Sequence, residues 1–380
     1  MSYLFSVIVP VYQNISLFTI FWKSLLRTLS SPTQIILIND ASPHDTATFL
    51  RQLQNVDTGD SIVYLIEHEK SQGYARCIND AMKIINAEYI VMMDSDIILT
   101  EGWQCKLESR FQDPSIGGIG SVLIYPQTGG VQCAGITYTD TVGRHLFLNA
   151  DPSILGQEPY DVQATVFAFF ATRRSIVLQV GLMDTHFFNG YEDIDYQLRI
   201  RKLGRKIVID PLLKNYHWEQ SNGIFRDYGR RSNLALLWKK YGDFIYPDLW
   251  DYLLPHLRTR IGINACYDGV DLCSMRNDAK CFWVQTEKFL PNQVPCVYEY
   301  WHSLSDNQSV NLSMILPFDS IRNSRPFLIL CDHFIRLLDN DYWVNFRLRY
   351  CTEDVIADLY GNVLSWQQLQ GRFWPGRKVR

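Results

Sequence analysis

Tyr89-Ile-Val-Met-Met-Asp94-Ser95-Asp96-Ile-Ile-Leu99 is the stretch from which the rest of the chain is read. An apolar run of strand length with no polar alternation suits a strand covered on both faces, as in a parallel α/β sheet. Ligands of such sheets bind beyond the carboxyl ends of the strands, where Asp94 and Asp96 emerge. Residues two apart on an extended chain point the same way, so both carboxylates can face one ligand. Two charges beside a core strand cost free energy unless something pairs with them. A divalent cation with phosphate oxygens completing its shell meets that need. On this stretch alone, a strand end with solvated Asp residues in a turn is the competing reading.

Working outward, strand and helix signals alternate. Leu4–Val9 is a β-branched run closed by Pro10, and Ile15–Leu29 follows as a helix. Gln34–Ile38 reads as a second buried strand ending at Asn39-Asp40, and Asp40–Asp45 as a turn into a helix that continues through Thr46–Leu53. Ser61–Glu67 is a third strand, Tyr74–Ile85 an amphipathic helix and Tyr89–Met93 the fourth strand. This βαβαβαβ rhythm predicts a mostly parallel, Rossmann-like sheet with flanking helices. Polar residues follow strands one, two and four, and in such a sheet these ends share one edge and can line a single nucleotide pocket. Neither the glycine fingerprint of a dinucleotide fold nor a Gly-x-x-x-x-Gly-Lys loop is present, which leaves the phosphate-holding role to a metal.

The chain has 380 residues, 47% hydrophobic, enough for two domains. A formal net charge of −4 argues against a nucleic-acid partner. The nine cysteines form no CxxC pair and fit a reducing compartment. Met1–Pro10 enters a strand pattern without a signal-peptide pattern, and Arg173-Arg174 interrupts the most apolar stretch, Ala164–Val180. The expectation is a cytoplasmic protein, with peripheral contact at the inner membrane face as an option. The basic tail Arg372–Arg380, with Phe373 and Trp374, reads as a frayed end or as a contact for an anionic membrane surface.

Taken together, Val7–Asn14, Leu37–Ser42, Gly73–Arg76 with Asn79, Met93–Asp96, Gly181–Asp184, Phe187-Phe188, Tyr191–Tyr196, Arg199–Gly204 and His217 resemble, in order and spacing, the family 2 glycosyltransferases. The resemblance covers the first ~240 residues. It implies a GT-A fold and an inverting enzyme dependent on a sugar nucleotide. The branch it looks most like adds rhamnose or similar sugars to bacterial surface polysaccharides. The family commonly has Asn two residues before the glycine of the third segment; here that residue is Ser71.

By resemblance, Pro10, Tyr12 and Asn14, with Asp40, hold the base and ribose, and Arg76 reaches the base or phosphate region. Asp40 can accept from a base N–H or ribose hydroxyls, and its structural alternative is an Asx turn or a helix cap. Asp94 and Ser95 lie near the ribose, while Asp96 ligates Mn²⁺ or Mg²⁺ bridging the diphosphate. His217, which follows a strand pattern at Lys206–Ile209 and a turn at Pro211, closes the site, touching the metal or the diphosphate. Asp193 is implied as the base, with Glu192 contacting the acceptor or supporting it; carboxylates opening a helix are also favoured by the helix dipole alone. Arg226, Arg230 and Arg231 either close over the diphosphate or form a solvated face.

The implied donor nucleotide is UDP, and the implied acceptor is a glycan or a lipid-linked oligosaccharide. A GT-A-shaped module without catalysis, binding glycan or assisting assembly, is the alternative; a nucleotidyltransferase is a more distant one. Val166–Phe170 reads as core packing or as sugar-stacking aromatics, and Thr128–Gly135 as a flexible loop near the cleft.

The resemblance ends near Tyr241. Residues 1–242 form the expected catalytic domain. Residues 243–380 are expected to hold a helical connector and a β-rich domain carrying six of the nine cysteines (Cys266, Cys273, Cys281, Cys296, Cys331 and Cys351). Strand patterns there are Val297–Tyr300, Met314–Leu316, Phe327–Leu330 and the alternating Trp343–Tyr350. Acceptor binding, oligomerisation and bracing are all open roles for that domain.

Overall fold

The computed structural model describes residues 3–138, 143–219, 223–246, 248, 252, 281–285, 327–331, 348, 355–358 and 360–373. The chain divides into two compact units, residues 1–136 with 145–245, and residues 137–144 with 246–380. The first unit is built on one sheet. Its strands are β1 (Tyr3–Val11), β2 (Thr33–Asp40), β3 (Ile62–His68), β4 (Ala87–Met93), β5 (Ile97–Ile98), β6 (Ile116–Ile124), β7 (Val131–Cys133), β10 (Tyr160–Val162), β11 (Phe169–Arg173) and β12 (Lys206–His217). The order is β10-β12-β6-β11-β4-β1-β2-β3, with β5 on β12 and β7 on β6. β8 (Ile136–Tyr138) and β9 (Gly143–His145) pair apart from it.

β3, β2, β1, β4, β6 and β12 all run the same way, and β11 is inserted antiparallel between β4 and β6. The parallel α/β expectation therefore holds. All eight residues of β2 and all nine of β6 are buried, as strands covered on both faces must be. One face carries Val7, Val9, Ile35, Leu37, Val91 and Met93 into a core shared with Phe18, Phe21, Trp22 and Leu25. These four lie on α1 (Ile15–Thr28) at helical spacing, which gives that helix its single apolar stripe. Asn14 begins α1 by accepting from Leu17 N–H at 3.1 Å.

The remaining helices of this unit are α2 (His44–Leu53), α3 (Tyr74–Met82), α4 (Trp103–Arg110), α5 (Arg174–Val180), α6 (Glu192–Lys202) and α7 (Gly223–Tyr241). α3 stops at Met82, short of the expected Ile85. The 166–170 aromatics settle as core: Phe167, Phe169 and Phe170 are all buried, with the Phe167 and Phe170 rings stacked 4.4 Å apart.

Two local expectations are corrected. Thr128–Gly135 is not a loop throughout: residues 131–133 form β7, and Val131, Gln132 and Cys133 are buried against β6. Pro211 is not a turn that ends a strand. β12 continues through it to His217, with a register shift between Asp210 and Lys214. A proline offers no N–H to a ladder, so an internal strand accommodates it at such an irregularity.

In the second unit, β13 (Cys281–Gln285), β14 (Phe327–Cys331), β15 (Val355–Asp358) and β16 (Val363–Ser365) form one mixed sheet, followed by α8 (Trp366–Phe373). β14 matches the expected strand at Phe327–Leu330. Val297–Tyr300, Met314–Leu316 and the tail beyond 373 lie outside the described residues, as does the expected strand Trp343–Tyr350 apart from Leu348, which is helical rather than extended. Among those described, no helix is long and apolar enough to cross a membrane.

Candidate active site

The parallel strands bring their carboxyl ends to one edge, and backbone pairing there assembles the first cluster of side chains. β4 ends at Met93, and Asp94 N–H continues its pairing to β11 by donating to Ala168 O at 3.1 Å. Two residues on, β5 pairs antiparallel with the end of β12, placing Ile97 opposite His217, and Trp218 N–H donates to Asp96 O at 3.3 Å. His217 Nε2 consequently lies 3.1 Å from Asp96 Oδ1 and 3.6 Å from Asp94 Oδ2. One ligand atom from each residue falls within 4.8 Å of the others.

Burial disfavours a charged His217 ring. The hydrogen bond with Asp96 and the negative charges of Asp94, Asp96 and Glu219 outweigh that, so its pKa is raised. Two carboxylate oxygens and one imidazole nitrogen converging from the ends of β4 and β12 are a donor set suited to Mn²⁺, and to Mg²⁺ with less help from the nitrogen. The residues present fit such an ion.

Residues behind this triad carry no motif signal. His217 Nδ1 is 2.6 Å from Gln132 Oε1. Gln132 Nε2 donates to Glu219 Oε2 at 3.1 Å, and Tyr125 OH donates to the same oxygen at 3.0 Å.

The second group of candidates lies where β1 and β2 end. Tyr12 is exposed, Pro10 is half-buried at the end of β1 and Asn14 is occupied as the cap of α1. The two loops are tied together by Ser42 Oγ, which donates to Val11 O at 3.0 Å. Asp40 is buried and engaged by the chain itself. One oxygen accepts from Gln72 N–H (2.7 Å) and faces His68 Nδ1 (2.8 Å); the other accepts from Ser71 Oγ (2.7 Å) and Gly73 N–H (3.1 Å). It therefore caps the start of α3 from a neighbouring strand, which is the structural alternative in a non-local form. Burial opposes its charge, but these hydrogen bonds outweigh burial and its pKa is lowered. Ser71, the departure from the family pattern, supplies one of them.

A cleft of ≈ 260 Å³ opens beside this cap, lined by Gln72, Gly73, Arg76, Thr185, Phe188 and Asn189 among others. Arg76 stands on its exposed side and donates to Gln72 Oε1 at 3.3 Å.

Glu192 and Asp193 open α6 as expected. Glu192 is buried and accepts from Gly190 N–H, while Asp193 is only half-buried and its Oδ1 accepts from Ile194 N–H at 2.8 Å. The turn before them is strained: Asn189 and Tyr191 have φ of 50° and 70°. Non-glycine residues in the left-handed region persist where surrounding contacts over-determine them. Here Asn233 Nδ2 on α7 donates to Phe188 O (3.0 Å) and Gly190 O (2.9 Å). Lys240 on the same helix bridges Asp184 and the fully buried Asp195.

Tyr74, named in the sequence only within a motif, links the two groups. Its hydroxyl lies 3.4 Å from Phe167 O, next to the carbonyl that receives Asp94 N–H. Burial first, then the charges of Asp94, Asp193 and Glu192, push its pKa well up, so this phenol sits in the field of both acidic centres. Of the three arginines beyond His217, Arg231 is exposed; the side chains of Arg226 and Arg230 lie outside the described set.

Residues 6–181 match the family model described as Glycosyl transferase family 2. Glycosyltransferase GlyG of Streptococcus pneumoniae is 25% identical over 215 residues, 55% of this chain and 68% of that protein. Poly-beta-1,6-N-acetyl-D-glucosamine synthase of Staphylococcus aureus is 25% identical over 184 residues, 47% of this chain and 41% of that one. The chain spans from 25% to 68% of the length of the curated relatives it matches first. Among solved structures, GalNAc-T7 with UDP, GalNAc and Mn2+ superposes with a TM-score of 0.50 at 16% identity, over 74% of this chain and 62% of that one. That likeness is one of fold.

Proposed function

We propose that this chain, whose residues 6–181 match the model described as Glycosyl transferase family 2, transfers a sugar from a nucleotide-diphosphate donor to the hydroxyl of a glycan or lipid-linked acceptor, with inversion at the anomeric carbon. The observation that carries this reading is the convergence of Asp94, Asp96 and His217 Nε2 at the end of the central strand. Asp96 and His217 would hold Mn²⁺ or Mg²⁺, with Asp94 at its margin toward the ribose. The ion supplies charge neutralisation at the departing diphosphate.

The remaining chemistry falls to the chain. Asp193, the more open of the two acids on α6, accepts the acceptor hydroxyl proton as the new glycosidic bond forms and the bond to the diphosphate breaks. Glu192 is turned back onto Gly190 N–H and fixes the helix start beneath it. Asp40 acts by holding the Ser71–Gly73 loop, so that Gln72 and Arg76 present donors along the cleft for base and ribose. Pro10, Tyr12 and Ser95 border the same edge. UDP is the proposed nucleotide, and the naming of a curated relative as a polysaccharide synthase supports a surface glycan as product.

Thermal stabilisation by UDP, GDP, CMP and dTDP, each with and without Mn²⁺, tests this. A shift with one diphosphate that needs Mn²⁺ and disappears in Asp96→Ala is expected. Unmoved melting curves for every nucleotide in a folded protein would reject the enzyme in favour of a non-catalytic glycan-binding module.

A further inference from the structure

We propose that Gln132 positions His217 for the metal, by engaging the Nδ1 proton of the ring and leaving Nε2 to face Asp94 and Asp96. This rests on the metal reading of the triad given above. Gln132 is almost fully buried on β7, a strand whose short pairing with β6 brings it behind the end of β12. Its amide could sit either way round, and Glu219 decides which. The amide nitrogen lies 3.1 Å from Glu219 Oε2 and 3.5 Å from the His217 carbonyl oxygen, and a carbonyl oxygen only accepts. The NH₂ group must therefore point to these oxygens, which turns Oε1 toward His217 Nδ1 at 2.6 Å. Facing a carbonyl at that distance, Nδ1 carries its hydrogen.

Tyr125 OH, 3.0 Å from Glu219 Oε2, steadies the far end of the relay. A histidine whose one nitrogen is bound in this way offers the other as a ligand, and loss of such an outer partner weakens metal binding about 10–100-fold. Nothing in the glycosyltransferase motifs marks Gln132.

The test uses the full chain and three variants: Gln132→Leu, Gln132→Glu, and Gln132→Glu combined with Glu219→Gln. Mn²⁺ affinity is measured by titration at one pH, with circular dichroism as the check on folding. Exchange of the His217 ring N–H is followed by NMR in the metal-free protein. Gln132→Leu is expected to weaken Mn²⁺ about 10–100-fold and to lose the slowly exchanging ring N–H. Gln132→Glu sets two carboxylates against each other and should also bind poorly. The exchanged pair keeps an acceptor for Nδ1 and, through the amide now at position 219, gives residue 132 a donor partner again, so both readouts should recover, a result that a space-filling role for Gln132 does not give.

Unchanged Mn²⁺ affinity in a folded Gln132→Leu protein overturns the proposal. If that variant does not fold, failure of the exchanged pair to improve on Gln132→Glu overturns it equally. A wild-type chain that binds no Mn²⁺ rejects the metal reading, whereas a protected ring N–H that depends on Gln132 upholds the hydrogen bond independently of it.

Discussion

His217 Nε2 lies 3.1 Å from Asp96 Oδ1 because the end of β12 pairs with β5 directly after the Asp94–Asp96 turn. Two residues distant in the chain become neighbours through a two-residue backbone pairing, and what each does depends on the other.

The first consequence is a pH dependence. Burial lowers the tendency of His217 to charge, but the hydrogen bond to Asp96 and the surrounding carboxylates raise its pKa overall. In the metal-free protein the stabilisation from the charged ring is fully present below the unfolded value of about 6.5 and is lost as pH rises through the folded value. Mn²⁺ competes with the Nε2 proton, so its affinity should run the opposite way and fall as the solution is made more acidic. Mn²⁺ titrations across a pH series should show this slope, and His217→Gln should flatten it.

Asp193 and Glu192 should separate in kinetics. Removing a general base lowers turnover by about 10²–10⁴-fold. Asp193→Asn is expected to lose that much in kcat while nucleotide binding stays unchanged. Glu192→Gln, which weakens a bond to Gly190 N–H, should lower stability as well as rate. Equal effects of both substitutions on kcat, with no loss of stability in either, would refute the assignment.

Asp40→Asn should destabilise the fold. One of its oxygens becomes an NH₂ group facing a backbone N–H that cannot reverse its role, at a cost of about 2–3 kcal/mol. Because the Asp40 pKa is lowered in the fold, its stabilisation is present above the unfolded value of about 3.9 and fades as pH falls through the folded one. Urea midpoints of the two proteins should therefore converge only under strongly acidic conditions.

Lys240→Met should loosen the turn that carries the acids of α6. It removes one partner from the fully buried Asp195, which keeps Arg199 Nε at 3.0 Å and Tyr241 OH at 2.7 Å. The loss should therefore fall below the about 3–5 kcal/mol of a buried ion pair broken outright. Denaturant unfolding measures it, and faster amide exchange at residues 188–195 should accompany it.

By itself the sequence determined the parallel sheet, the helices between its strands and the residue types at each strand end. Those follow from local rules: unbroken apolar runs such as Ile35–Ile38 must be covered on both faces, and the stripe at Phe18, Phe21, Trp22 and Leu25 fixes a helix face. Family resemblance added the identities of Asp94, Asp96, Asp193 and His217 as a set. Only the tertiary structure decided which polar groups meet. Asp40 looked like a ligand group because its four hydrogen-bonding partners lie on later segments. Pro211 looked like a break because the pairing that carries β12 past it comes from β6 and β5. Tyr74 appeared only inside a motif, with no sign of its place between the two acidic centres, and Gln132 matched no motif, since the direction of a side-chain hydrogen bond across a sheet depends on register, and register is a property of two strands at once.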